Sequence, residues 1–270
     1  MFSSPDLPPK ETDLAPLSWA HFNPGDLKQD LITLPLEGAI IGAINAFYSP
    51  RAESLWPFNH ESANKNTAKT TLTRSALLPY SLGVATLVFG GLKLSNDDFF
   101  IGTQIRGLLH AHLLNEIATS AAKVSFQRKR PFYDTEVNAQ LTPAEDDRFS
   151  FFSGHASHAF TFATYTSALM LKYSENPYLS WTYTIAAYST AAWIALTRVA
   201  DNAHHVSDVI VGGLVGTVIA GSVFYRVQQI DSINKQMGNT KNNFDFQFIP
   251  YTFQDNSKKT WYAGSFEIKF

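Results

Sequence analysis

The chain has 270 residues, a net charge of −2, no cysteine and a mean hydropathy of −0.10. That length is enough to bury a core of its own. The charge balance excludes a broad field that would attract nucleic acid, and the lack of cysteine excludes disulfides and thiolate metal sites.

In chain order, residues 1–27 carry Pro5, Pro8, Pro9, Pro16 and Pro24, which break any helix and predict an irregular arm packed through Leu17, Trp19 and Phe22. The opening Met1-Phe2-Ser3-Ser4-Pro5 has neither a basic start nor an apolar run. It therefore reads as a cytoplasmic chain or as a mature form whose leader has been removed. A first helix is predicted over Leu27–Tyr48, followed by a polar loop over 49–70. A second helix is expected near 71–94 with Pro79 to kink it, and a third over about 98–127 behind the cap Asn96-Asp97-Asp98. The polar connection 132–150 is long for a compact domain and is expected to border a pocket. A fourth helix begins near His155, a fifth covers about 178–197 and a sixth about 203–228.

Ser75–Leu94, Tyr178–Leu196 and Val209–Tyr225 approach the length of a membrane span. They are rich in Thr, Ser, Tyr and Ala, and the mean hydropathy is too low for six spans. They read as buried helices of a soluble bundle, with 75–94 as the one candidate anchor. Beyond residue 240 the pattern changes: Phe244, Phe246 and Phe248, then Tyr262, Phe266, Ile268 and Phe270, alternate with their neighbours at period two. That predicts an antiparallel hairpin. The expected fold is mainly α: an arm over 1–27, a helical bundle over 28–230 and a small C-terminal β-hairpin over 240–270.

Three groups of residues could carry chemistry. Lys123 and Arg130 are seven apart, so they share a helix face if the helix persists to Pro131. Arg128 and Lys129 read as an ordinary solvated basic helix end. Ser153-Gly154-His155 opens a helix, where backbone N–H groups have no intrahelical partner and can hold an anion. Ser153 adds a hydroxyl and His155 a proton donor or acceptor. His158 one turn on, and the aromatics Phe149, Phe151, Phe160 and Phe162, read as packing residues. The third group is Arg198 with His204, His205 and Asp208. With Asp201 or Asn202 as N-cap, His204 and Asp208 are i and i+4 in the first turns of a helix. The carboxylate can then accept the imidazole Nδ1–H and leave Nε2 as a nucleophile, base or metal ligand. A metal set of His155, His158, His204 and Asp208 is the competing arrangement. Three cations nearby suit a phosphate better than a divalent metal.

Lys123-x6-Arg130-Pro131, then Ser153-Gly154-His155, then Arg198-x5-His204-x3-Asp208, in that order, resembles the phosphatidic acid phosphatase type 2 (PAP2) superfamily. That group contains lipid phosphate phosphatases, bacterial acid phosphatases and vanadium haloperoxidases. The motifs span residues 123–208, with Phe152 and Thr197 standing where the family usually has Pro and Ser. The resemblance implies a helical bundle of the PAP2/haloperoxidase type and a metal-independent phosphatase without a cofactor. Its alternative is a vanadate-dependent haloperoxidase using the same residues. Carried over, Lys123, Arg130, Ser153, Gly154 and Arg198 bind phosphate, His204 attacks phosphorus, Asp208 orients His204, and His155 protonates the leaving group. The expected partners are a phosphorylated small molecule or lipid and a peripheral membrane contact, not nucleic acid. The expected location is the periplasm or cell envelope.

Overall fold

The computed structural model describes residues 24, 26–49, 51, 54–58, 88, 92, 101–132, 148–236, 245–254 and 260–269. Among these, five helices dominate: α1 Leu27–Ala46, α2 Ile101–Phe126, α3 Gly154–Tyr173, α4 Pro177–Ala200 and α5 Val206–Gln236. The molecule is therefore mainly helical, and its helix starts are set by side chains that satisfy the first N–H groups. Asp26 Oδ1 accepts from Lys28 N at 2.9 Å at the head of α1. Asn176 Oδ1 accepts from Tyr178 N and Leu179 N at 3.0 and 3.2 Å, with Pro177 in the first helical position. The arm 1–23, nearly all of the expected second helix and the connection 133–147 lie outside the described residues. So do the side chains of the tail, where β1 Asp245–Gln254 pairs antiparallel with β2 Thr260–Lys269, Phe248 opposite Phe266.

Helix α3 is the hub. It packs against α2, α4 and α5, while α1 lies on α2. Leu108 and Ala111 of α2, Tyr165, Leu169 and Met170 of α3, and Ala220, Val223 and Val227 of α5 form the main buried cluster. Burying a large side chain of this kind is worth about 1.5–3 kcal/mol. The approach of α5 to α3 depends on glycine. A Cβ on Gly212 would lie 2.7 Å from the Ser153 carbonyl oxygen, and one on Gly216 would lie 2.1 Å from that of Ser157. Close passage of the two backbones brings the first turn of α5 against the head of α3, where Ser153 N–H donates to the Asp208 carbonyl at 3.1 Å.

Two sequence expectations fail here for physical reasons. The first is the shared helix face of Lys123 and Arg130, which required the third helix to persist to Pro131. Helix α2 stops at Phe126, and Gln127 turns into the left-handed region at φ 45. Its side chain fixes that turn, with Nε2 donating to the Ser49 and Val124 carbonyls and Oε1 accepting from Arg51 N. Lys123 and Arg130 therefore do not share a helix face; Arg130 reaches the site from the irregular segment that follows. The second is the burial of the apolar helix faces. On α4 only Ser180, Ala191, Ile194 and Ala195 are buried, while Trp181, Ile185, Trp193 and Leu196 are more than half exposed. The same holds for Leu31, Ile32 and Leu36 of α1 and for Ile210, Leu214 and Val218 of α5. Much of the interior is polar instead. Gln104, His110, Asn115, Thr119, Ser157, Thr161, Thr166 and Ser167 are buried. Helix α1 is docked by charge. Its Asp30 and Glu37 carboxylates meet the two ring nitrogens of His110 at 2.8 Å each, and Arg106 donates to Asp30 at 2.7 Å.

Candidate active site

The site lies where the end of α2, the head of α3, the end of α4 and the head of α5 meet. Lys123, in the last turn of α2, has its ammonium 3.6 Å from where a Cβ on Gly154 would stand. Glycine leaves that space open beside a cation. Gly154 begins α3, and Ser153 caps it, its Oγ accepting from Ala156 N at 3.4 Å. Arg198 sits in the last turn of α4 and donates through Nη1 to Asp201 Oδ2 at 3.1 Å. Arg130 donates through Nη1 to the Ala203 carbonyl at 3.1 Å, its guanidinium carbon 5.9 Å from the Phe132 ring centre.

These cations surround His155. Its imidazole is pushed down to about 4, first by burial and then by the charges of Arg198, His204, Lys123 and Arg130. Residues far apart in the chain thus converge on one ring. His204 is 3% exposed, and its pKa is also lowered to about 4: burial and Arg130 depress it more than Asp208 and the Ser150 carbonyl raise it. Both imidazoles are neutral near pH 7.

The orientation of His204 differs from the expected stack on Asp208. His204 precedes α5, which begins at Val206, so the two are not a pair on one helix face. Its Nδ1–H donates to the Ser150 carbonyl at 2.7 Å, while Asp208 Oδ2 stands 3.7 Å away, beyond hydrogen-bond reach. Neither Asp201 nor Asn202 caps this helix. Asp201 closes α4, donating its N–H to the Thr197 carbonyl, and Asn202 turns left-handed at φ 57. Asp208 instead reaches back to the His205 N–H at 3.0 Å, as an acidic residue at the third helical position does in a capping box.

Sequence reasoning missed two residues. Arg128 is buried, not solvated: its Nη1 donates to Asp208 Oδ1 and, at 2.7 Å, to Ser207 Oγ. Ser150 is fully buried; besides its carbonyl, its Oγ–H donates to Asp208 Oδ2 at 2.5 Å. The sequence carried a signal for the first, since Arg128 lies within the basic run that ends at Pro131. Ser150 had none. The packing assignments fit better: Phe149 meets Tyr48, Phe151 meets Phe58 and Phe126, and Phe160 meets Tyr188. His158 is engaged by Glu116 at 2.8 Å and His112 at 2.9 Å, so it does not join His155 and His204 in a metal set. Among the described residues no cluster of three or more His, Asp or Glu side chains could hold a metal ion.

Residues 105–231 match the family model described as the PAP2 superfamily. This region is a PAP2 domain. The chain is 31% identical over 164 residues to the probable diacylglycerol pyrophosphate phosphatase 1 of Schizosaccharomyces pombe, covering 52% of this chain and 59% of that protein. It is 27% identical over 228 residues to phospholipid phosphatase 2 of Homo sapiens, covering 70% and 77%. It is 32% identical over 112 residues to the lipid A 1-phosphatase of Porphyromonas gingivalis, covering 41% and 21%. The match thus spans well under two thirds of the first and third of these relatives. No solved structure matches the chain. The PAP2 domain contains every motif residue from Lys123 to Asp208.

Proposed function

We propose that the PAP2 domain is a phosphatase for lipid-borne phosphate or diphosphate esters, working through a phosphohistidine and without a metal. The observation that carries this reading is the action of Lys123, Arg130 and Arg198 on His155, with Arg130 also acting on a neutral His204. With Nδ1–H held by the Ser150 carbonyl, the lone pair of His204 is on Nε2. In this mechanism Nε2 attacks phosphorus in line while the three cations, the Ser153 hydroxyl and the Gly154 N–H take the non-bridging oxygens. With the substrate dianion offsetting the nearby cations, His155 takes up a proton and gives it to the departing alkoxide; the neutral ring left behind then takes one from the water that cleaves the P–N bond. Asp208 supports His204 through its neighbours and its charge.

The lipid part of the reading is supported by the names of the relatives, which act on a diacylglycerol pyrophosphate, a phospholipid and lipid A. It is supported too by the apolar residues that α1, α4 and α5 expose, and by Val206–Ser232, a stretch long and apolar enough to cross a membrane. The reading sets the domain at a membrane of the cell envelope, its site toward the periplasm, with the helical region over 28–230, the arm over 1–27 and the hairpin over 240–270 as appendages.

The test is an assay on phosphatidate, a prenyl diphosphate and p-nitrophenyl phosphate in detergent, with and without EDTA and orthovanadate. Lipid esters are expected to be cleaved fastest, EDTA to have no effect and vanadate to inhibit. An alkaline detergent quench after brief exposure to 32P-labelled substrate should trap a base-stable label that acid removes and that His204→Ala lacks. Activity lost to chelation and restored by zinc would overturn the mechanism.

A further inference from the structure

We infer that Arg128 is a positioning residue for His204, acting through Asp208 and Ser150, and that Arg51 and residues 54–58 hold Arg128 in place. The inference rests on the reading of His204 as the nucleophile. Its geometry is a closed ring of contacts. The Arg128 guanidinium donates to Asp208 Oδ1 and to Ser207 Oγ, while the Arg128 carbonyl accepts from Ser150 N–H at 3.0 Å. Asp208 Oδ2 accepts from the Ser150 hydroxyl, and the Ser150 carbonyl accepts from His204 Nδ1. Ser150 is thus gripped at its N–H by Arg128 and at its hydroxyl by the carboxylate that Arg128 anchors. Its third polar group is what holds the imidazole.

The charge logic agrees. Asp208 is fully buried, and its nearest imidazole is neutral. Burial pushes its carboxyl up, and this is outweighed by His204, by the Ser150 hydroxyl and by the charge of Arg128, the cation in direct contact with it and the group that aims Oδ1. Without Arg128, Asp208 would take up a proton or turn, and the Ser150 hydroxyl would lose its acceptor. The Ser150 carbonyl would then be free to swing, and His204 free to carry its proton on Nε2, where it cannot attack.

The guanidinium is itself fixed. Its central carbon stands 4.2 Å from the Phe58 ring centre, a cation–π contact. Phe58 packs on Phe151 at 4.8 Å and Phe126 at 5.8 Å. The segment leading to it is tied to the end of α2: Leu55 N to the Phe126 carbonyl at 3.0 Å, Ser54 Oγ to the Gln127 carbonyl at 2.9 Å, and Arg51 N to Gln127 Oε1 at 2.8 Å.

The experiment separates positioning from a fourth phosphate-binding cation. Arg128→Ala should lower kcat by about 10–100-fold, the usual size of an outer-shell effect, and leave KM within about two-fold. Arg130→Ala should raise KM instead. Asp208→Asn combined with Arg128→Ala should be no slower than Asp208→Asn alone, because the two act through one contact. Nitrogen-15 spectra of the histidines, with His204→Ala identifying the signal, should give Nδ1–H for His204 in the parent and a mixture of tautomers in Arg128→Ala. Phe58→Leu, which leaves the ion pair intact, should repeat the kcat loss on a smaller scale with KM unchanged. It keeps the test available should Arg128→Ala not fold. A raised KM, losses that multiply in the double variant, or an unchanged tautomer in both single variants would overturn the inference. A parent enzyme that cleaves no phosphate ester would defeat the phosphatase reading, while the tautomer spectra would still decide the positioning role.

Discussion

At the scale of single residues, the two histidines separate by the bond each one serves. In the proposed mechanism His204 attacks whatever the leaving group, so His204→Ala should abolish turnover of every ester. His155 is needed in the first step only to protonate the departing oxygen. General acid catalysis is worth about 10²–10⁴-fold, and p-nitrophenolate leaves without it. His155→Ala should therefore slow the phosphorylation burst with alkyl phosphates by that factor and spare aryl phosphates; equal losses on both would make His155 a phosphate-positioning residue. The pH dependence follows from the same environment. His155 is depressed to about 4 partly by three cations, and a bound phosphate dianion offsets those charges and raises it. The acid form of His155 is lost as pH rises through its pKa. The alkaline limb of kcat, set by the complex, should accordingly fall at higher pH than that of kcat/KM, set by the free enzyme. Coincident limbs would remove His155 as the acid. The residues to which the proposal gives this chemistry could be picked out of the sequence because motif spacing survives without knowledge of the fold. Arg128 and Ser150 were not, because their importance lies in contacts with Asp208 across 80 and 58 residues of chain.

At the scale of elements, helix positions were readable, and the end of α2, expected near 127, falls at Phe126; the left-handed turn that follows it was not readable. The starts of α1, α3 and α4 carry Asp26, Ser153 and Asn176 as caps, which local sequence announces. The left-handed turn after α2 depends on Gln127 being clamped by Ser49 and Arg51, a contact no local pattern contains. The α3–α5 contact has a sharper consequence. Valine at Gly216 would place carbon atoms on the Ser157 carbonyl, so α5 must back away from α3 and take Asp208 with it. Overpacking of this kind costs about 1–3 kcal/mol. Gly216→Val should lower the thermal midpoint in detergent and depress activity. Gly221, on the same helix, has nothing within 4 Å of its would-be Cβ. Gly221→Ala should be neutral, or stabilising by up to about 1 kcal/mol from helix propensity. Equal effects of the two substitutions would mean that the close approach is not what joins these helices.

At the scale of the whole molecule, the described helices turn many large apolar side chains outward and bury many polar ones beside the apolar cluster. The mean hydropathy concealed this, because it averages the helices with the polar arm, connections and tail, and because the helices carry their Ser and Thr inward. Leu31, Ile32 and Leu36 of α1, Trp181, Ile185, Trp193 and Leu196 of α4, and Ile210, Leu214 and Val218 of α5 all point outward with more than half their surface exposed. Monomers in water rarely present apolar patches beyond a few hundred Å². Even at about 1 kcal/mol for each side chain, below the usual 1.5–3 for full burial, lipid contact would contribute on the order of 10 kcal/mol. That exceeds what a peripheral contact through a few lysines supplies, about 1 kcal/mol each near an anionic surface. It also makes salt irrelevant, since apolar transfer is not screened. The protein should therefore sediment with membranes, stay there through washes with 1 M salt and with alkaline carbonate, and come into solution only with detergent. Release by salt alone would reduce the membrane contact to the peripheral kind and leave the outward apolar faces needing another cover.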